Sequence, residues 1–231
     1  MLTIGLLGGM SWESSAHYYR IVNQAVRAAL GGTHSARSLM LSVDFADVEA
    51  LQHAGEWQAL GDMMLRETAR LAAGGADFLV LCTNTMHLFA PQIEEHGALP
   101  LLHIADAAGQ AIRSRGLQRV GLIGTRFTME EPFYRERLAE RFGIETLVPG
   151  PEAREAIHRV IYDELVQGVI RDESRAIYRD VIAALADAGA QGIVLGCTEI
   201  PLLVGEADSP VPLFDTTDLH ARAAADRALA G

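Results

Sequence analysis

Residues 3–14 read Thr-Ile-Gly-Leu-Leu-Gly-Gly-Met-Ser-Trp-Glu-Ser, a short apolar run that turns glycine-rich and reopens as a helix start. The glycines suit a tight turn between strand and helix, where backbone amides can also hold an anionic group. The run is not the G-x-G-x-x-G fingerprint, and no acidic residue follows about 20 positions on to hold a ribose. What gives it weight is recurrence. Gly5-Leu6-Leu7-Gly8 returns as Gly121-Leu122-Ile123-Gly124, displaced by 121 − 5 = 116 positions. Gly75-Ala76-Asp77 and the strand ending at Cys82 return as Gly189-Ala190-Gln191 and the strand ending at Cys197, displaced by 114 to 115. Pro100-Leu101-Leu102, with Asp106 beyond, returns as Pro212-Leu213-Phe214 with Asp218, displaced by 112.

Around these anchors, short aliphatic runs alternate with longer amphipathic ones. The pattern predicts strands near 3–7, 38–43, 78–81, 99–103, 120–124, 145–148, 192–195 and 211–214. Helices are predicted near 12–30, 47–73, 87–96, 105–115, 130–142, 152–168, 173–188 and 217–229. Alternation of this kind implies parallel sheets with helices on both faces. The expected fold is α/β, with two pseudo-symmetric lobes of four parallel strands each. Residues 1–103 form the first lobe, completed by 211–231, and residues 104–210 form the second. Ligands bind at the carboxyl ends of such strands, so the active site is expected in the cleft between the lobes, with one cysteine contributed by each.

Composition narrows the chemistry. The 231 residues carry 19 basic and 30 acidic side chains, 19 − 30 = −11, which lacks the basic footprint of a nucleic-acid partner. All the basic residues are Arg, and no Lys occurs anywhere. A lysine aldimine with pyridoxal phosphate, a Walker A motif and a lysine base are therefore excluded. No signal-peptide pattern opens the sequence, and no apolar run reaches the roughly 18 residues of a membrane span. Two cysteines make no disulfide framework and are expected as free thiols in a cytoplasmic protein. Histidines 17, 34, 53, 87, 96, 103, 158 and 220 show no metal-ligand spacing.

Two segments carry the chemistry. In Leu81-Cys82-Thr83-Asn84-Thr85-Met86-His87, a buried strand opens into hydroxyl and amide residues suited to a carboxylate. Read alone, the same segment fits a core cysteine followed by a helix cap. In Leu195-Gly196-Cys197-Thr198-Glu199-Ile200-Pro201, Cys-Thr again follows an apolar strand and precedes a short helix, where Glu199 caps the helix or bonds a substrate amine. Two thiols at equivalent places suit inversion of an α-carbon, in which one group removes the proton and a matched group delivers one to the opposite face. His87 falls to a capping or orienting role.

On these three motifs, end to end, the chain resembles the aspartate/glutamate racemase superfamily and specifically its cofactor-independent two-cysteine amino-acid racemases. The resemblance implies that Cys82 and Cys197 are the acid/base pair. It implies Met10, Gln52, Thr83, Asn84 and Thr85 as substrate-binding positions of the first lobe, and Thr125, Thr198 and Glu199 as those of the second. The implied enzyme takes a small amino acid, aspartate or glutamate by default, needs no cofactor or metal, and forms a homodimer. Its C-terminal helix is expected to pack back on the first lobe. One departure matters. Relatives acting on acidic substrates often bring a Lys from the region 161–170 to the side-chain carboxylate, whereas here the nearest cation is Arg171. A broader or neutral amino-acid substrate, a maleate or hydantoin isomerase, and a catalytically silent amino-acid binder stand as alternatives.

Overall fold

The computed structural model describes residues 1–231 and contains two compact units, Met1–His103 with His220–Gly231, and Ile104–Leu219. The first unit runs β1 (Ile4–Gly8), α1 (Trp12–Leu30), β2 (Ser38–Ser42), α2 (Phe45–Ala54), α3 (Trp57–Ala73), β3 (Phe78–Leu81), a 3-10 turn (Thr85–Phe89), α4 (Ala90–His96) and β4 (Leu101–Leu102). The second runs α5 (Ile104–Ser114), β5 (Arg119–Gly124), α6 (Arg126–Glu130), α7 (Pro132–Phe142), β6 (Glu145–Leu147), α8 (Pro151–Asp163), a 3-10 turn (Leu165–Gln167), α9 (Asp172–Asp187), β7 (Ile193–Gly196), α10 (Ile200–Leu203) and β8 (Leu213–Asp215). Helix α11 (Thr216–Ala230) starts in the second unit and from His220 belongs to the first. Each unit holds one four-stranded sheet, in the order β2-β1-β3-β4 or β6-β5-β7-β8, with all pairs parallel. The repeat read from sequence is thus a repeat of topology.

Both faces of each sheet are covered. In the first unit, Ile4, Leu6, Phe78, Val80 and Cys82 bury against Tyr18 and Val22 of α1 and Ala221, Ala224 and Ala228 of α11. Leu7, Leu79 and Leu81 face the other way, onto Val48 of α2 and Leu60, Met64 and Leu71 of α3. In the second unit, Val120, Leu122 and Val194 bury against α5 and α7, while Ile123, Ile193, Leu195 and Cys197 bury against α8 and α9. Strands covered twice read as continuous apolar runs, which is why the sequence marks them so plainly. Each such side chain contributes about 1.5–3 kcal/mol when fully buried.

Several expected elements differ, for local reasons. The single helix expected at 47–73 is two, because Gly55 closes α2 in the left-handed conformation and Trp57 starts again. The helix expected at 130–142 divides at Glu131, whose extended backbone precedes Pro132, as a residue before proline prefers. The one expected at 152–168 ends at Asp163 and continues only as a 3-10 turn closed by Gly168. The strand expected at 99–103 pairs only over Leu101–Leu102. The expectation that 211–231 completes the first lobe needs a later start. β8 pairs with β7, so residues 211–219 stay with the second unit and the return begins at His220.

The glycine-rich turn after β1 is tight on both sides. A Cβ on Gly8 would lie 2.7 Å from Ser15 Cβ, and Gly9 holds φ at +94° against the backbone of Val43. Ser15 Oγ accepts the Gly9 N–H at 2.8 Å and donates to Ser11 O at 2.9 Å, while Ser11 caps α1. Gly124 plays the same part after β5, where a Cβ would meet Gly196 O at 2.8 Å. Replacing Gly8 by Ala should therefore destabilise the chain by about 1–3 kcal/mol in urea unfolding. An unchanged midpoint would show that the turn yields without strain.

Candidate active site

Every candidate residue lies at the carboxyl end of its sheet, where parallel strands leave room for a ligand. Met10 follows β1, Gln52 lies on the helix after β2, and Cys82 follows β3. Met10, Val48 one turn before Gln52, and Met86 share one buried cluster, so the β1, β2 and β3 connections converge. Gln52 is buried with its Oε1 hydrogen-bonded to nothing in the protein. Thr125 caps α6 after β5 by accepting the Thr128 N–H, and Gly124 pairs in register with Gly196, the residue before Cys197. The structure thus gathers Met10, Gln52, Cys82, Thr83, Asn84 and Thr85 at one sheet end, and Thr125, Cys197, Thr198 and Glu199 at the corresponding end of the other sheet.

The two thiols occupy non-identical places. Register pairs Gly5 with Leu79 in the first sheet and Gly121 with Ile193 in the second. Counting from those partners, 82 − 79 = 3 and 197 − 193 = 4. Cys82 therefore matches Gly196, and Cys197 matches Thr83. Because side chains alternate along a strand, this one-residue step sends the thiols to opposite types of sheet face. Cys82 packs with Phe78 and Val80 on the side of α1 and α11, whereas Cys197 packs with Ile193 and Leu195 on the side of α8 and α9. The sequence offsets of 114 and 115 already contained this slip.

Their electrostatics differ as well. The Cys82 backbone N–H donates to Leu7 O at 2.9 Å, and its Sγ has only the Val80 carbonyl at 4.0 Å. Burial alone drives its ionisation far above the ordinary thiol range. Cys197 donates its S–H to Glu199 Oε2 at 3.0 Å, and the same oxygen accepts the Thr198 hydroxyl at 2.7 Å. Here burial raises the pKa most, and the carboxylate's charge and the hydrogen bond to it raise it further. Tyr178, buried beside this group with its hydroxyl 3.3 Å from Ile157 O, is shifted upward too, by burial and then by Cys197, Glu164 and Glu199. Both thiols therefore rest protonated, and only Cys197 has a proton acceptor in place.

Two features of the arginines escaped the sequence reading. Arg171 is not a free cation, since it pairs with Glu164 Oε1 at 3.9 Å while Ser174 donates to the other Glu164 oxygen at 2.6 Å. Arg126 is the only arginine within three residues after the carboxyl end of any strand. It makes no ion pair and lies over the Phe127 ring at 5.6 Å. Its position directly after Thr125 was the available signal. No group of three or more His, Cys, Asp or Glu side chains is arranged to hold a metal, and no helix is long and apolar enough to cross a membrane.

A family model for Asp/Glu/hydantoin racemases matches residues 7–224. The chain is 52% identical to a provisionally assigned Asp/Glu racemase from Yersinia pestis, with a TM-score of 0.93 over 99% of this chain and 100% of that one. An aspartate racemase homologue from Pyrococcus horikoshii is 30% identical, with a TM-score of 0.85 and the same coverage. The glutamate racemase of Deinococcus radiodurans is 29% identical over 155 residues, which is 62% of this chain and 49% of that protein. The match thus spans about half the length of that curated relative.

The Cys197–Glu199 contact generates a signed expectation. Glu199→Gln removes the charge that opposes thiolate formation, so the midpoint pH for modification of Cys197 should move down. Methyl methanethiosulfonate kinetics on a Cys82→Ser background would read this directly. A midpoint that stays put or rises would show that the carboxylate does not face the sulfur.

Proposed function

Because the chain belongs to the Asp/Glu/hydantoin racemase family, we propose that it is an amino-acid racemase that works without pyridoxal phosphate, exchanging the Cα proton between Cys82 and Cys197. The observation that carries this reading is a buried free thiol at the carboxyl end of the third strand in each of two repeated sheets, each flanked by hydroxyl, amide or carboxylate side chains. Catalysis takes the α-proton onto one sulfur as thiolate, leaves a planar carbanion, and returns a proton from the other sulfur to the opposite face. One thiolate becomes thiol while one thiol becomes thiolate, so atoms and charge balance, and the next turnover runs in reverse or after the protons reset.

The two sulfurs both enter this cycle as thiols, but from different surroundings. The Glu199 charge holds Cys197 as thiol at rest, and the same carboxylate is the acceptor within reach of its proton. Once protonated it no longer opposes the thiolate, and Thr198 donates to the same oxygen. Thr83, Asn84 and Thr85 supply donors to a carboxylate next to Cys82. Gln52 offers a buried acceptor that fits an α-ammonium. Aspartate or glutamate is the default substrate. Its side-chain carboxylate then needs a cation, and Arg126 is available for that role where Arg171 is neutralised by Glu164.

Proton NMR in D₂O with no cofactor added tests the reading on L-Asp, L-Glu and a panel of neutral amino acids, with optical rotation followed in the same tube. Loss of the α-proton signal with inversion is expected for at least one of them. Cys82→Ser and Cys197→Ser should each lower the inversion rate by about 10²–10⁴-fold. Full activity in either variant would sink the two-thiol mechanism. Arg126→Gln should lower kcat/KM for Asp and Glu by about tenfold or more relative to a neutral amino acid. An equal loss for both classes would remove Arg126 from side-chain recognition.

A further inference from the structure

Histidine 87 makes an arrangement that the proton-transfer scheme does not use. It is fully buried in the 3-10 turn that follows Cys82. Its Nδ1 lies 2.9 Å from Thr83 O, and its backbone N–H donates to Asn84 O at 3.1 Å. A carbonyl only accepts, so Nδ1 carries the proton. The imidazole thus holds the Thr83 carbonyl, while the bond to Asn84 O is the ordinary backbone bond of the 3-10 turn. Behind it, the rings of His103 and His220 stand 4.6 and 5.7 Å away. His220 is fixed in turn, with Nε2 on Leu102 O at 2.8 Å and Nδ1 on the Tyr18 hydroxyl at 2.9 Å. His87 is thus backed by rings that β4 and α11 hold in place.

We propose that His87 is a positioning residue for Cys82, its buried imidazole clamping the Thr83 carbonyl so that the 82–85 turn keeps its sulfur and side-chain donors aimed at the substrate. The physical reason is twofold. A loop of small residues after a strand has several backbone conformations close in energy, and a hydrogen bond from a buried imidazole selects one. Binding the Thr83 oxygen to a buried N–H also offsets part of its negative charge close to where a carboxylate and a carbanion are to sit. The clamp touches no substrate atom.

This inference rests on the racemase reading, and two substitutions separate it from a packing role. Asparagine carries its amide nitrogen where imidazole carries Nδ1, and glutamine carries it where imidazole carries Nε2. His87→Gln is expected to lower kcat/KM by about 10- to 100-fold for the amino acid that the wild type exchanges. His87→Asn is expected to recover most of that loss. Thermal midpoints of the two variants should fall together, or further for the smaller Asn. A packing role would instead make activity follow the midpoint, and equal activity in the two variants would overturn the clamp. A wild type silent on every amino acid would sink the racemase reading alone. The clamp is then decided by the rate at which methyl methanethiosulfonate modifies Cys82 on a Cys197→Ser background. There His87→Asn should track the parent and His87→Gln depart from it, and no difference between the two would overturn it.

Discussion

A parallel strand covered by helices on both faces must end abruptly, because its last peptide groups lose their ladder partners while still out of reach of bulk water. Most of the chain's chemistry follows from how these ends are finished. After β1, glycines admit Ser15 and Val43 at close range, and the Ser15 hydroxyl takes the Gly9 amide. After β5, Thr125 and Thr128 do the equivalent work. After β3 and β7, a thiol comes first and hydroxyl, amide or carboxylate groups follow. The same small polar residues that satisfy the ends of strands and helices are thus the ones proposed as donors around a ligand. Structural and functional readings of these motifs are two descriptions of one set of hydrogen bonds.

Burial of the thiols sets the terms for what they can do. A sulfur in an apolar cluster holds its proton, so neither cysteine is a standing nucleophile. Reactivity must come from something that arrives with the ligand or from a local proton acceptor. Cys197 has such an acceptor in Glu199, and Cys82 has none beyond its own strand. The one-residue slip between the two positions is what permits this difference. It places Glu199 two residues past one sulfur and leaves the Thr83–Thr85 donors beside the other.

Much of this was legible in the sequence, because the repeat preserves what the fold needs most. Glycines at strand ends and unbroken apolar runs survive duplication when their loss would cost stability. The breaks at Gly55 and at Glu131-Pro132 were present as letters but sat inside long amphipathic patterns, where tertiary burial decides whether a helix is interrupted. The equivalence of the cysteines was read one position too closely, since only strand register separates an offset of 114 from one of 115. The Arg171–Glu164 pair and the ring cluster behind His87 were not readable at all. His87, His103 and His220 come from three distant segments, and nothing local announces that they meet.

The charge of the whole chain bears on which substrate fits. A net charge of −11 repels a dicarboxylate at long range, but screening confines that field to roughly 8 Å at physiological salt. Recognition is therefore a matter of local donors. Beside Cys197, burial first and then the charges of Cys197, Glu164 and Glu199 shift Tyr178 upward, so that neighbourhood carries negative rather than positive charge. In the proposed scheme a side-chain carboxylate would be compensated instead by Arg126, which no acidic residue neutralises. If that single guanidinium carries the preference, selectivity between acidic and neutral amino acids is a modest difference, because one exposed cation discriminates less than a buried bidentate pair. The architecture then fixes the reaction at Cα more firmly than it fixes the side chain attached to it.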